Sequence, residues 1–279
     1  MANYNTYLID KKGNPVFQGN KPDLSKGDLY ISVSQILSML GSGDFLIQWA
    51  LREFGGLADS TGAYRSYMDR VSDLGSKLHK YIEFDLKGLE FPEAEMTETM
   101  VPGIQSWHDF KEKHEIKLID SERVLHSKRY RFAGQLDLRV EIDGVTYVAD
   151  LKTGSVMGKA FIQLAAYKHM LKEMGLSDGT EKLLVLGGAD SKSKIADGGA
   201  VQMHTLETFF KGDVTEEDMF VKLMCLRELW YQENLRSRKF EPIIKGMSDY
   251  MEPMIQSFRD SFKQTLKKSN KGRKKNVIN

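Results

Sequence analysis

YRFAGQLDLRVEIDGVTYVADLK, which runs from Tyr130 to Lys152, is the stretch of this sequence that decides its fold. Its first half, up to Ile142, alternates apolar and polar residues, as a half-buried strand does. The dipeptide Asp143-Gly144 follows, and it is well suited to a two-residue type I′ turn. After the turn the extended pattern resumes, so the sequence predicts a β-hairpin over the whole stretch.

The turn fixes the register of this hairpin. If Ile142 pairs with Val145, Asp137 lies directly opposite Asp150, with Cβ atoms roughly 4.5–5.5 Å apart. Lys152 follows two residues later on the same face, because side chains alternate along a strand. Two like charges that face each other destabilise a sheet, and without a cation one carboxylate tends to take up a proton. The hairpin therefore predicts a site for a divalent cation.

The chemistry follows from these three side chains. Mg²⁺ commonly takes one or two carboxylates and fills its other positions with water and phosphate oxygens. Lys152 would orient or help to deprotonate a water on the metal, or stabilise the charge of the transition state. The predicted reaction is hydrolysis of a phosphodiester bond. The alternative is a surface hairpin whose polar face carries Asp137, Asp150 and Lys152 without a function, since a D-x-K tripeptide is frequent by chance.

Two predicted helices accompany the hairpin. Downstream, 160–172 predicts a helix on which Gln163 and Tyr167 share a face, one turn apart. Upstream, 75–83 predicts another helix, on which His79 and Glu83 share a face in the same way. Each of these four side chains also has a purely structural interpretation, as a packing residue or a solvated helix residue.

The ordered set of motifs is more specific than any one of them. It comprises G-x-x-x-H-x-x-x-E from Gly75, a strand glutamate at Glu122, G-x-x-D, D-x-K-T-G and Q-x-x-x-Y ending at Tyr167. This combination resembles the RecB-like branch of the PD-(D/E)XK nucleases. The resemblance implies an α/β fold with a mixed central β-sheet flanked by helices, an N-terminal helical region, and a metal-dependent DNA nuclease activity.

The resemblance also assigns roles at the metal. Asp137 and Asp150 would be metal ligands, with the backbone carbonyl of Leu151 as a third. His79 would be an additional ligand, and Lys152 would be the catalytic lysine. The implied cofactor is Mg²⁺ or Mn²⁺. No iron–sulphur cluster of the kind found in many relatives is expected, because the chain has a single cysteine.

Four further residues complete the implied site. Gln163 and Tyr167 would position the DNA or the catalytic groups. Glu122 would lie near the site without a defined role. Glu83 either takes part directly or simply pairs with a lysine on its own helix.

Composition is consistent with one main domain of an ordinary globular protein: of 279 residues, 28% are charged and the formal net charge is +1. We expect an N-terminal hairpin and helical region over 1–72, a nuclease core over 73–255 and a disordered basic tail over 256–279. No apolar run is long enough to span a membrane, and no secretion signal opens the chain. A single cysteine argues against a disulfide framework. The expected location is the cytoplasm, that of a host cell if the gene is carried by a phage.

Other segments predict the frame around the hairpin. The sequence predicts an N-terminal hairpin over 4–17, helices over 34–39, 45–54 and 102–114, and strands over 117–126 and 182–186. A capping box at Thr215 and Asp218 predicts the start of another helix. Aromatic and arginine residues interleave between Trp49 and Arg70, a pattern typical of single-strand binding and also of a helix packed on the core.

The functional expectation combines these inferences. We expect an exonuclease that acts on DNA ends or single strands in phage or mobile-element replication, recombination or repair, with replication or recombination proteins as partners. A structure-selective endonuclease is the alternative within the same class. A DNA-binding module without turnover is the alternative from another class, and the intact set of Asp137, Asp150 and Lys152 argues against it. RNA remains an open substrate.

Overall fold

The computed structural model describes residues 6–16, 23–41, 59–190, 192–234, 241 and 243. Over these residues the chain forms an α/β fold with two mixed sheets and six α-helices, which confirms the predicted class. The strands are β1 (Thr6–Ile9), β2 (Pro15–Val16), β3 (Asp28–Ser32), β4 (Ile116–Ser121), β5 (Val124–Ser127), β6 (Phe132–Gln135), β7 (Leu138–Ile142), β8 (Val145–Lys152), β9 (Lys182–Gly187) and β10 (Gln202–Thr205). The helices are α1 (Val33–Leu37), α2 (Ser60–Leu86), α3 (Val101–Lys111), α4 (Lys159–Glu173), α5 (Leu206–Phe210) and α6 (Glu216–Asn234).

The strands form two sheets of five. The first sheet has the order β2-β1-β3-β6-β5, and the second has the order β10-β9-β8-β7-β4. Each sheet contains one parallel pair, β3 with β6 in the first and β8 with β9 in the second. The sequence predicts a single central sheet, whereas the described residues form two.

Two sheets arise because two predicted strands each bend. The predicted strand over 130–142 divides into β6 and β7, and the predicted strand over 117–126 divides into β4 and β5. At the bend the Glu122 N–H donates to the Asp137 carbonyl at 3.2 Å, and the Leu136 N–H donates to the Arg123 carbonyl at 2.8 Å. Glu122 has a φ of 52°, in the left-handed region. The two chain segments therefore pass from one sheet to the other side by side.

The hairpin has the predicted register. Ile142 pairs with Val145 and Leu138 pairs with Ala149, so Asp137, one residue before β7, falls opposite Asp150. The turn residues Asp143 and Gly144 both have positive φ, 50° and 80°, as a type I′ turn requires.

Helices cover both faces of the second sheet. One core lies between α4 and the inner faces of both sheets; it includes Leu8, Ile31, Phe132, Val148, Phe161, Leu164 and Val185. The other core lies between the second sheet and the helices α2 and α3; it includes Ile82, Trp107, Phe110, Val140, Tyr147 and Leu184. Because side chains alternate along β8, Asp150 shares the α4 face with Val148.

The helix α6 begins where the sequence predicts it, whereas α2 begins at Ser60, well before the predicted helix over 75–83. The capping box of α6 is present: Thr215 N–H donates to Asp218 Oδ2 at 2.8 Å, and Asp218 N–H donates to Thr215 Oγ1 at 3.2 Å. In α2, the Gly62 N–H donates to the side chain of Asp59 at 2.9 Å. This helix runs across the boundary expected at residue 72.

Several predicted features lie outside the described residues, namely the helix over 45–54, the part of the interleaved segment from Trp49 to Arg70 that covers 49–58, and the basic tail over 256–279. Within the described part of the chain, no helix is long and apolar enough to cross a membrane.

Candidate active site

The end of β8 places a carboxylate in the protein interior. Asp150 is 0% exposed. Lys152 Nζ donates to Asp150 Oδ1 at 2.8 Å and lies 2.7 Å from Oδ2, and the lysine side chain remains 35% exposed. Oδ2 has the ionic contact but no hydrogen bond of good geometry from any described residue. The hairpin therefore does not carry Asp150 on a surface face, and one of its oxygens keeps an open lone pair.

Asp137 brings a second carboxyl group to the same place. Burial, opposed by the Lys152 charge and aided by the Asp137 charge, raises the pKa of Asp150 to about 7. Burial also raises the pKa of Asp137, again against the Lys152 charge. A single ammonium thus faces the buried Asp150 and the partly exposed Asp137, and one proton or one further cation is needed to neutralise the pair.

His79 reaches this pair from α2. Its Nδ1 lies 3.8 Å from Asp137 Oδ2, which is beyond hydrogen-bonding distance. Burial lowers the pKa of His79, the Lys152 charge adds to this effect, and the Leu151 backbone opposes it. His79 is therefore a neutral imidazole at pH 7, the form in which histidine binds metals.

The helix α4 supplies Gln163 and Tyr167. Gln163 Nε2 donates to the Tyr167 hydroxyl oxygen at 2.9 Å, which leaves the phenolic proton available to another acceptor. Burial raises the pKa of Tyr167 well above its ordinary range, and the Asp137 charge adds to this rise. Gly134 makes room for the ring, because a Cβ at this position would lie 2.6 Å from Tyr167 Cε1.

The two glutamates border the site but have partners of their own. Glu83 Oε1 accepts from Lys87 Nζ at 2.5 Å and from Ser121 Oγ at 3.0 Å. The contact with Lys87 matches the structural interpretation of Glu83, in which it pairs with a lysine one turn along its own helix. Glu122 Oε2 accepts from Gln135 Nε2 at 2.5 Å. Burial and the Glu83 charge raise the pKa of Glu122.

An open cleft of about 640 Å³ leads to these residues. It runs along α2 to the end of β8, and its lining includes Gly75, Ser76, His79, Glu83, Glu122 and Thr153. A Cβ on Gly75 would lie 3.1 Å from Thr153 Oγ1, so the glycine of the first motif allows the helix to approach the strand end. Of the predicted site residues, the cleft exposes His79, Glu83 and Glu122 to a ligand.

The donor set is small for a metal site. Among the described residues, no group of three or more histidine, cysteine, aspartate or glutamate side chains is arranged to hold a metal ion. The candidate donors are two carboxylates, His79 and the Leu151 carbonyl, which already accepts a hydrogen bond from His79. This number is sufficient for Mg²⁺, which is often held by one or two carboxylates while waters fill its other positions.

Sequence reasoning missed two residues of the site. Gln135 holds the Glu122 carboxylate, and Tyr7 of β1 lies close enough for its charge to act on Tyr167. Burial raises the pKa of Tyr7, with the Glu122 charge adding to it. Nothing local marks Tyr7, because it reaches the site only through the pairing of the N-terminal strands with β6.

Comparison with known proteins gives no relative: no family model matches this chain, and no curated protein matches it. The case for a function therefore rests on the residues and their geometry.

Proposed function

We propose that this protein is a metal-dependent DNA nuclease of the PD-(D/E)XK type that hydrolyses phosphodiester bonds, and that it acts as an exonuclease on DNA ends or single strands. The observation that carries the proposal is the pair of Asp137 and the fully buried Asp150, with Lys152 as its one close ammonium and with His79, which reaches the pair, on the wall of an open cleft. We place this activity in phage or mobile-element replication, recombination or repair.

The residues fit a divalent cation. The open lone pair on Asp150 Oδ2 and the raised pKa of both acids indicate a place where positive charge is lacking. Asp137 and Asp150 would hold Mg²⁺ or Mn²⁺, and His79 and the Leu151 carbonyl are the remaining donors. When bound, the ion supplies Lewis acidity toward the phosphate and a template for the attacking water.

Lys152 has two tasks in this proposal. Its ammonium neutralises part of the carboxylate charge, and the lysine side chain is 35% exposed, so a phosphate can approach it from solvent. There it stabilises the negative charge that develops on the phosphate during hydrolysis, and it orients the water that attacks. An exchange of lysine for a neutral side chain removes both effects.

Tyr167 and Gln163 act as positioning groups. Because Gln163 donates to the phenolic oxygen, the Tyr167 hydroxyl has its proton available for an acceptor in the site, a carboxylate or a phosphate oxygen. The high pKa of Tyr167 keeps this proton in place across the neutral range. The hydroxyl therefore serves as a hydrogen-bond donor and not as a base.

The proposal is tested by cleavage of end-labelled linear DNA, single- and double-stranded, beside a covalently closed circle and an RNA strand. Each substrate is incubated with Mg²⁺, Mn²⁺ or a chelator. Wild type is compared with Lys152→Ala and with Lys182→Ala, which removes an exposed lysine from the neighbouring strand β9. We expect metal-dependent loss of linear DNA with wild type and Lys182→Ala, and none with Lys152→Ala.

The substrates separate the alternatives. Survival of the circle supports an exonuclease, whereas its cleavage identifies an endonuclease. Equal cleavage by Lys152→Ala and wild type contradicts the proposed site. Binding of DNA without cleavage by any of the proteins contradicts the nuclease and favours a DNA-binding module.

A further inference from the structure

A second pocket lies away from the acidic cleft. It has a volume of about 590 Å³ and sits between the β1–β2 turn, β5 and the C-terminal end of α4. Its lining includes Lys12, Gly13, Arg123, His126, Lys128 and Glu173. Four of these six residues are of basic types, whereas the lining of the cleft at the candidate active site includes two glutamates, Glu83 and Glu122.

His126 is the buried polar group of this pocket. It is 4% exposed, and its Nδ1 has no hydrogen-bond partner among the described residues. Burial lowers the pKa of His126, with the Lys128 charge adding to the effect. The neutral tautomer with its proton on Nε2 is favoured, because a proton on Nδ1 would be a buried donor without an acceptor. His126 therefore carries an N–H on Nε2 at a residue that lines the pocket.

The β1–β2 turn closes one side of the histidine. Gly13 has a φ of 92°, and a Cβ on it would lie 3.3 Å from His126 Cε1 and 3.8 Å from Nε2. A side chain at residue 13 would crowd the ring and would be strained at this positive φ, so glycine suits the close approach of the turn. The turn thereby brings Lys12, its neighbour in the chain, to the rim of the pocket.

The charges of the pocket favour an anion. Neither Lys12 nor Lys128 forms an ion pair with any residue within the described ranges. Arg123 donates through Nε to Asp120, which uses one of its five N–H donors. The one acid of the lining, Glu173, is already occupied: Oε2 accepts from Ser127 Oγ at 2.6 Å, and Oε1 accepts from the Arg129 N–H at 3.1 Å.

The pocket and the cleft are joined by the short segment from Glu122 to His126, which includes the start of β5. Glu122, which lines the cleft, immediately precedes Arg123, and His126 lies four residues further along the chain. This separation is at most about 13–14 Å between Cα atoms, because an extended chain spans at most about 3.3–3.6 Å per residue. A nucleic acid strand with a rise of about 3.4 Å per nucleotide covers such a distance in about four nucleotides.

We infer that this pocket binds a phosphate group, with the N–H of His126 as a buried donor and Lys12, Arg123 and Lys128 as the surrounding cations, and that this phosphate belongs to the strand held in the cleft. The inference rests on the proposed function for the identity of the strand. A free nucleoside monophosphate offers the same chemistry, and the test separates the two sources.

The test measures binding in chelator, where no cleavage occurs, so a failed nuclease assay does not affect it. Affinity of the full-length protein for a labelled single-stranded oligonucleotide is measured over a range of salt concentrations. Lys12→Ala and Lys128→Ala are compared with wild type and with Lys117→Ala, an exposed lysine of β4 in the second sheet. In parallel, dTMP is titrated into histidine-labelled protein and observed by NMR, with the His126 signals identified through His126→Gln.

We expect Lys12→Ala and Lys128→Ala each to reduce the slope of log affinity against log salt by about 0.7, the value for one lost phosphate contact on a single strand. Lys117→Ala keeps the slope of wild type. Equal slopes in all four proteins, with His126 signals that shift on addition of dTMP, overturn the strand as the source and assign the pocket to a mononucleotide. Equal slopes without any shift overturn the phosphate site altogether.

Discussion

Two pairs of acids lie in the candidate site, Glu83 with Glu122 and Asp137 with Asp150, and they differ in how their charges are balanced. Glu83 and Glu122 each have a close hydrogen-bond partner, Lys87 and Gln135 respectively. Asp137 and Asp150 share a single ammonium, that of Lys152, which contacts Asp150 and acts on Asp137 through its charge. The difference indicates which pair is built for a cation: an acid with its own partner is already stable, whereas two neighbouring acids, one of them fully buried, with a single lysine are not.

The largest predicted effect is a difference in DNA-cleavage activity between variants of the two acid pairs. Asp137→Asn removes a proposed metal ligand, and we expect kcat/KM for DNA cleavage to fall by about 10²–10³ or more, the range for loss of one electrostatic group in a catalytic site. Glu83→Gln keeps the hydrogen bond from Ser121, and it should change kcat/KM by less than about tenfold, as a lost exposed ion pair does. Steady-state kinetics with Mg²⁺ measures both. Equal losses in the two variants would contradict the division between the pairs.

The next effect concerns stability and pH. The pKa of Asp150 is raised from 3.8 to about 7, so between these values the folded protein keeps a proton that the unfolded chain releases. The contribution of this proton to the free energy of unfolding is therefore full below pH 4, and it is lost as the pH rises toward 7. Because each pKa unit corresponds to about 1.4 kcal/mol, this contribution amounts to a few kcal/mol.

Asp150→Asn removes this dependence. In metal-free buffer at pH 8 the variant should have a higher free energy of unfolding than wild type, and the difference should vanish near pH 4. Urea denaturation at both pH values measures it. Glu83→Gln is the control, for which we expect no gain at pH 8. A variant that is less stable than wild type at pH 8 would show that the Asp150–Lys152 ion pair outweighs the cost of burial.

Mg²⁺ should replace the missing proton. At a concentration of 100 times its Kd, a bound ion stabilises the folded state by about 2.7 kcal/mol. We expect a rise in Tm with Mg²⁺ at pH 8 for wild type and Glu83→Gln, and no rise for Asp137→Asn. At pH 5 the rise should be smaller, because protons compete for the same carboxylates. The same rise in Asp137→Asn as in wild type would place the ion elsewhere.

The smallest effect comes from Tyr167. Tyr167→Phe keeps the ring against Gly134 and removes only the hydroxyl, so one hydrogen bond of about 1 kcal/mol is lost. We expect kcat to fall roughly fivefold at unchanged Tm, since that energy corresponds to this factor. Gln163→Leu should give a similar loss, because Tyr167 then lacks the donor that orients its hydroxyl. A Tyr167→Phe enzyme with the kcat of wild type would remove Tyr167 from the mechanism.

The hairpin was predictable from the sequence because its determinants are local. Asp143-Gly144 selects the turn, the turn sets the register, and the register places Asp137 opposite Asp150. The pairing of Gln163 with Tyr167 is local in the same way, since residues four apart on a helix are neighbours. These features needed no knowledge of the rest of the chain.

The bend between the two sheets was not predictable in this way. Alternation continues through it, and every second residue on one side is buried in both sheets: Phe132, Gly134, Leu136, Leu138, Val140 and Ile142. The backbone feature that marks the bend is the positive φ of Glu122. This conformation depends on the hydrogen bond that Glu122 makes with the partner segment. The deep burial of Asp150 was not predictable from the sequence either, because α4 covers this face of β8.

The most direct test of the division between the two acid pairs is a titration of the metal-free protein with Mn²⁺. Binding is monitored by electron paramagnetic resonance at pH 8 without DNA. We predict that wild type and Glu83→Gln bind Mn²⁺ with the same affinity and that Asp137→Asn binds it at least tenfold more weakly, about 1.4 kcal/mol or more. Wild-type affinity in Asp137→Asn, or loss of binding in Glu83→Gln, would contradict the assignment of the cation to Asp137 and Asp150.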